Sequence, residues 1–116
     1  MRAVVLEAKG GPEVLQIKEV PDPVAGPDEV LVQIVSSALN RADLLQRMGL
    51  YPGPAMEHEI PGLEFAGRVI AAGDRVTEHA IGDAVMGISN GGCYAEQIAI
   101  HERQAMRVPE ALPLSD

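Results

Sequence analysis

Three polar side chains are the candidates for chemistry in this sequence, because each lies among glycines, prolines and apolar residues. They are Asn40, Glu64 and Tyr51, and Gly49 and Pro52 flank the tyrosine closely. An amide can orient a ligand, a carboxylate accepts hydrogen bonds, and a phenol covers a ligand while donating one. Each also has a simpler structural interpretation: a helix cap, a paired acid and a rim aromatic, respectively.

Other kinds of site fit the sequence poorly. The single cysteine, Cys93, and the three histidines, at positions 58, 79 and 101, lack the paired close spacing of a zinc site. We therefore predict no metal site. Neither G-x-G-x-x-G nor G-x-x-x-x-G-K-S/T occurs, so any nucleotide would be held mainly by another domain. No G-x-S-x-G motif frames a serine, and Cys93 is interpreted as a packing residue.

The stretch 38–54 has the strongest local pattern in the chain. Asn40 is a favourable N-cap, and Asp43 stands three residues later, as in a capping box. Gly49 can adopt the left-handed conformation that ends a helix. We therefore predict one short helix near 41–48. Its buried face would consist of the apolar residues at helical spacing, Leu44, Leu45 and Met48.

Most of the remaining sequence predicts short strands separated by glycine and proline turns. We place 29–37 at the centre of a sheet, covered on both faces, because its apolar run is nearly unbroken. Gly67 predicts a bend, and residues 90–92 predict a hairpin-like turn. The fold class is therefore mainly β, a partly open barrel with one helix. The predicted strands are 1–8, 14–20, 29–37, 63–71, 83–88 and 94–100.

Composition narrows the class of protein. The 116 residues fit one domain, and a hydrophobic content of 47% with only 3% aromatics predicts an aliphatic core. The net charge of -8 opposes binding to nucleic acid or to an anionic membrane surface. One cysteine permits no intrachain disulfide, and no apolar run approaches the roughly 20 residues of a membrane span. We expect a soluble, cytoplasmic protein.

Five separate blocks, in order along the chain, resemble the N-terminal GroES-like domain of the medium-chain dehydrogenase/reductase superfamily. Within it, the sequence is most similar to zinc-free NADPH:quinone oxidoreductases of the tumour-suppressor-inducible branch. The resemblance covers the whole chain, 1–116. The blocks are K-G-G-P-E-V-L at 9–15, S-A-L-N-R-A-D-L-L-Q-R at 37–47, G-L-Y-P at 49–52, P-G-L-E-F-A-G-R-V at 61–69 and G-D-A-V-M at 82–86.

The same resemblance implies that zinc is absent. Asn40 stands where zinc-dependent alcohol dehydrogenases of this superfamily carry a ligand cysteine, and Leu63 stands where they carry a histidine. Residues 86–93, with one thiol, replace their cysteine-rich structural-zinc lobe. Glu64 is retained from the family pattern.

The function implied by the resemblance is hydride transfer from NADPH to a quinone or other α,β-unsaturated carbonyl. The reaction would take place in a cleft between this domain, 1–116, and a C-terminal Rossmann cofactor domain that this chain lacks. Asn40 and Tyr51 match positions that line the nicotinamide and substrate side of that cleft, with positioning roles and no proven acid or base role. We expect a homo-oligomer at full length and no activity from this fragment alone.

Two alternatives remain open at this point. An enoyl-thioester reductase of the same superfamily would share the hydride chemistry and differ in the acceptor. A free-standing co-chaperonin-like module would bind a partner without catalysis, and would need a long mobile loop ending in an apolar docking tripeptide. The segment 9–15 is too short and too stiffened by proline to serve as that loop.

Overall fold

A computed structural model of the chain describes residues 1–49 and 59–115. The fold in these ranges is mainly β with one short α-helix, as predicted. Two single-turn 3-10 helices, Pro12–Val14 and Glu102–Gln104, lie between strands. The strands are β1 (Arg2–Leu6), β2 (Leu15–Glu19), β3 (Glu29–Ser37), β4 (Glu64–Ala72), β5 (Ala84–Ile88), β6 (Gln97–His101) and β7 (Ala105–Arg107), and the helix is α1 (Arg41–Arg47).

Five of the strands form one antiparallel sheet in the order β6-β3-β4-β5-β7, while β1 and β2 pair separately. The β3–β4 ladder shifts register twice, between Leu31 and Val32 and between Ile34 and Ser36. Gly67 pairs with Ile34 at the second shift. Such irregularities bend a strand and increase its twist. The second one lies opposite Gly67, where the bend was predicted, but its extra residue, Val35, belongs to β3.

The environment of β3 differs from the prediction. The strand lies inside the sheet, but β4 is the middle strand. One face of β3 is buried, with Val30 and Val32 inaccessible to solvent, whereas Val35 is 55% exposed. The prediction from the apolar run, that both faces of β3 are buried, was therefore wrong. Successive side chains of a strand point to opposite faces of the sheet, and in the described residues the core covers one face of β3.

Residues 90–92 do not form a hairpin turn. Strand β5 pairs with β4 and β7, whereas β6 pairs with β3, so the two strands that flank the turn are not neighbours. Gly92 has a φ of +90° and donates its N–H to the carbonyl of Ile60 at 2.7 Å. The chain thus crosses toward the residues that precede β4.

The main core lies on the buried face of the large sheet and is almost entirely aliphatic. A smaller cluster lies beneath β1 and consists of Ala3, Val5, Val20 and Ile60. The main cluster contains Val30, Val32, Phe65, Val69, Val85, Cys93, Ile98, Ile100 and Ala105.

In the part of the chain that the structure describes, no helix is both long enough and apolar enough to cross a membrane.

Helix α1 buries its polar residues and exposes apolar ones. Asp43 is 7% exposed and Gln46 is 1% exposed, whereas Leu44 and Met48 are 50% and 44% exposed. The predicted apolar buried face was therefore wrong. The buried positions face polar partners: Asp43 accepts hydrogen bonds, and Gln46 donates one to Glu59 at 3.0 Å.

Candidate active site

The site is built around Asn40, where strand β3 gives way to helix α1. Asn40 has extended dihedral angles, φ -126° and ψ 154°, and forms a capping box with Asp43. Its backbone N–H donates to Asp43 Oδ2 at 2.9 Å. Its side-chain Nδ2 donates to Glu64 Oε2 at 3.3 Å. The predicted cap is confirmed, and the amide has a further partner on the neighbouring strand.

Tyr94 connects the start of helix α1 to the segment that precedes β6. Its hydroxyl donates to Asp43 Oδ2 at 2.5 Å and lies 3.1 Å from the carbonyl oxygen of Ala38. Burial, and then the hydrogen bond to Asp43, raise the pKa of the Tyr94 phenol. The phenol therefore stays protonated at neutral pH and acts here as a donor, not as a base.

Cys93, the neighbour of Tyr94, is sealed in the core. Its side chain has no accessible surface, and burial raises the pKa of the thiol to about 12, with the carboxylates of Asp43 and Glu64 adding to the effect. A thiol that stays protonated is a poor nucleophile. The interpretation of Cys93 as a packing residue is confirmed.

Glu64 opens strand β4 opposite Ile88 and is half-buried. Among the described residues its recorded partner is the amide of Asn40, and no ion pair with a cation is formed there. Glu64 is therefore a paired acid in the described structure, and an amide supplies the donor. Glu64 also lines an open cavity of about 520 Å³, together with Ser36, Ser37, Ala38, Phe65, Ala66, Met86, Gly87, Ile88, Met106 and Ser115.

Of the two site residues predicted from the sequence, Asn40 contacts Glu64, which lines the cavity, but Asn40 is not itself one of the lining residues. Tyr51 lies outside the described residues, so its role stays a prediction. Tyr94 was missed as a member of the network, although the scarcity of tyrosine in the chain singled it out. No local pattern could have paired it with Asp43, which is 51 residues away in sequence.

The side chains that the structure describes near Asn40 do not form a metal centre. Within residues 1–49 and 59–115, no group of three or more His, Cys, Asp or Glu side chains is placed to hold a metal ion. Glu64 supplies a carboxylate to the lining of the cavity, and the amide of Asn40 donates to that carboxylate. Such groups can orient a small ligand and limit its contact with water.

Comparison with known proteins identifies the family. The alcohol dehydrogenase GroES-like domain matches residues 26–110. The chain belongs to this family. The resemblance to the N-terminal domain of medium-chain dehydrogenases and reductases is thereby confirmed.

Relatives of the domain are much longer than this chain. The synaptic vesicle membrane protein VAT-1 homolog of Rattus norvegicus is 32% identical over 118 residues, which is 100% of this chain and 29% of the rat protein. The human VAT-1 homolog-like protein superposes with a TM-score of 0.93 at 32% identity, covering 98% of this chain and 37% of that one. Escherichia coli quinone oxidoreductase, in complex with NADPH, gives a TM-score of 0.92 at 30% identity, covering 98% and 35%.

Proposed function

We propose that this chain is the substrate-side domain of a zinc-independent NADPH:quinone oxidoreductase. One observation carries the proposal. The amide of Asn40 donates to Glu64, which lines a largely apolar cavity, in a domain similar over 98% of its length to the E. coli enzyme complexed with NADPH. The reaction would transfer a hydride to a quinone or another α,β-unsaturated carbonyl.

The cavity fits a small planar acceptor. Its volume of about 520 Å³ lies inside the usual range for small-molecule sites, roughly 300 to 1,000 Å³. Met86, Ile88 and Met106 supply a soft apolar wall, and Ser36 and Ser37 supply hydroxyl groups. Thioether side chains adapt to flat apolar ligands, so this wall suits an aromatic or conjugated ring.

The residues of this chain contribute orientation and shielding from water. When bound, NADPH supplies the hydride from its nicotinamide ring. Asn40 would orient the nicotinamide or the acceptor through its side-chain amide, and Tyr51 would cover the ligand. A hydride step depends mainly on the placement of donor and acceptor, so an amide and an aromatic ring are adequate groups for this side of the cleft.

The remaining parts of the enzyme would come from outside this chain. No G-x-G-x-x-G loop occurs in the sequence, so a Rossmann domain would hold most of the dinucleotide. Ile88 and Met106 are 68% and 51% exposed at the cavity mouth, where such a domain could pack. We further propose a cytoplasmic homo-oligomer, and no turnover by the 116-residue fragment alone.

The test is the choice of acceptor by the full-length protein that carries this domain. NADPH oxidation would be followed after treatment with a chelator, with a p-quinone in one reaction and an enoyl-thioester in another. We expect chelator-resistant oxidation that depends on the quinone. Oxidation with the thioester alone would favour the enoyl-thioester reductase, and no oxidation with either acceptor would overturn the proposal.

A further inference from the structure

Glu64 and Asn40 come from different parts of the fold, and the backbone of each is held by pairing or by a hydrogen bond. Glu64 is the first residue of β4 and is paired in register with Ile88. Asn40 precedes α1, and its N–H is held by Asp43, which also accepts from Tyr94. The geometry of this contact therefore depends strongly on the two side chains.

A carboxylate opposite an amide selects one orientation of that amide. An ionised carboxylate has no proton to donate, whereas a primary amide has a donor end and an acceptor end. Glu64 therefore requires the NH2 end of Asn40 to face it, as the 3.3 Å contact between Nδ2 and Oε2 shows. The reversed amide would place its oxygen against the carboxylate, which is repulsive.

We propose that Glu64 is a positioning residue that fixes the side-chain amide of Asn40 in a single orientation toward the ligand. This role rests on the proposed function, since the ligand is the nicotinamide of NADPH or the acceptor beside it. Glu64 acts through Asn40 and supplies no proton to the reaction. It thereby converts an amide that could rotate into a fixed recognition group.

The expected effect of substituting Glu64 follows from the populations of the two orientations of the Asn40 amide. In Glu64→Gln the new side chain both donates and accepts, so residue 64 no longer selects one orientation of the Asn40 amide. If about half of the molecules keep the productive orientation, the apparent Kd for NADPH rises about 2-fold. Glu64→Leu also frees the side-chain rotamers, and about a 5-fold rise is expected.

A double-mutant cycle in the full-length protein isolates this role. The Kd for NADPH and the kcat/KM for a p-quinone would be measured for Glu64→Gln, Glu64→Leu and Asn40→Ala, and for both double variants. If Glu64 acts through Asn40, its substitutions lower affinity in the wild-type background and have no effect once Asn40 is alanine.

Glu102→Gln is the matched control. Glu102 is also a buried acid, but its carboxylate accepts the backbone N–H groups of Thr77 and Glu78. It follows β6 and lies beyond the far end of β3, about 30 Å from Asn40 by strand length. We expect this variant to lower thermal stability and to leave the Kd for NADPH unchanged.

A second measurement does not depend on ligand. In the 116-residue chain, the side-chain NH2 resonances of Asn40, identified by their loss in Asn40→Ala, should shift in Glu64→Gln and stay in place in Glu102→Gln. Unshifted resonances in Glu64→Gln would overturn the inference. Equal losses of affinity from Glu64→Gln with and without Asn40 would also overturn it. A wild-type enzyme that neither binds nor oxidises NADPH would overturn the proposed function, and this role with it.

Discussion

Helix α1 and the five-stranded sheet bury opposite kinds of side chain. The sheet buries valines such as Val30 and Val32, which depend on shape and area alone. The helix buries Asp43 and Gln46, which depend on the direction and distance of specific partners. Apolar burial supplies most of the free energy of folding, whereas buried polar contacts restrict geometry. The sheet therefore stabilises the domain, and the helix holds Asn40 in place.

The polar contacts of α1 reach three separate parts of the chain. Gln46 donates to Glu59 at 3.0 Å, and the carbonyl of Arg47 accepts from the N–H of Gly10 at 2.8 Å. Tyr94 reaches Asp43 from the segment that precedes β6. Each such bond contributes only about 1 kcal/mol net, so the helix is held by several modest and directional contacts. Substitutions in the sheet and in helix α1 should therefore differ in the size of the stability loss and in the part of the domain that is affected.

The largest effect is expected at the bend of the sheet. A Cβ atom on Gly67 would lie 2.1 Å from the carbonyl oxygen of Gln33, which belongs to the neighbouring backbone and cannot move aside. Gly67→Ala should cost about 3 kcal/mol or more of unfolding free energy, or prevent folding. Chemical denaturation measures this loss. Gly82→Ala is the control, because Gly82 has a φ of +96° but open space around it, and about 1 kcal/mol is expected.

The next comparison sets one buried side chain of the sheet against one apolar side chain of the helix. Val32 is inaccessible to solvent, so Val32→Ala should cost about 2 kcal/mol of unfolding free energy. Leu44 is half exposed, so Leu44→Ala should cost less than about 1 kcal/mol. Denaturation curves of the 116-residue chain measure both. Equal losses would show that the helix packs through its apolar residues after all.

Tyr94→Phe tests the polar side of the comparison. The variant keeps the ring and removes one donor from a buried carboxylate, so a loss of about 1 to 2 kcal/mol is expected. The core of the sheet is untouched, so hydrogen exchange should accelerate in α1 more than in β3. Uniform acceleration across both elements would contradict the separation of the two regions.

Raising the pH should lower the unfolding free energy first through Cys93 in the core of the sheet and then through Tyr94 at helix α1. This effect is expected to be the smallest. The pKa of Cys93 is raised from 9.0 to about 12, and that of Tyr94 is raised from 10.0. A raised folded pKa gives stability that is complete below the unfolded value and is lost as the pH rises toward the folded one. Between pH 9 and 10 we expect a loss of about 1 kcal/mol or less, from Cys93, with Tyr94 adding above pH 10.

Two variants assign each part of this pH dependence to its residue. Cys93→Ala should flatten the dependence of unfolding free energy on pH between 9 and 10, while Tyr94→Phe should flatten only the part above pH 10. Stability that is unchanged up to pH 11 in the wild-type chain would contradict the burial of both groups.

Much of the sheet could be predicted from the sequence, because strand signals are local. Residues 29–37 were predicted as a strand and form β3 with the same bounds. Helix α1 and its cap at Asn40 were likewise predicted from residues within one turn. The order of the strands could not be predicted from turn signals, because residues 90–92 look like a hairpin but join strands that are not neighbours.

The candidate site was predictable only in part. Asn40 could be selected from its neighbours and from the family pattern, but its contact with Glu64 spans 24 residues of sequence. The buried face of α1 was mispredicted because helical spacing identifies apolar positions and carries no information on distant polar partners. Asp43 is buried because Tyr94 meets it, and that meeting depends on the whole fold.

The most direct test of the account is quinone-dependent NADPH oxidation by the full-length protein and its Asn40→Ala variant. Positioning by a single side chain can change rates strongly, so we expect about a 10- to 100-fold lower kcat/KM in the variant. The thermal midpoint should show that the variant is folded, and Glu102→Gln should retain wild-type turnover. Full activity of the Asn40→Ala variant would contradict the assignment of the site to the start of helix α1.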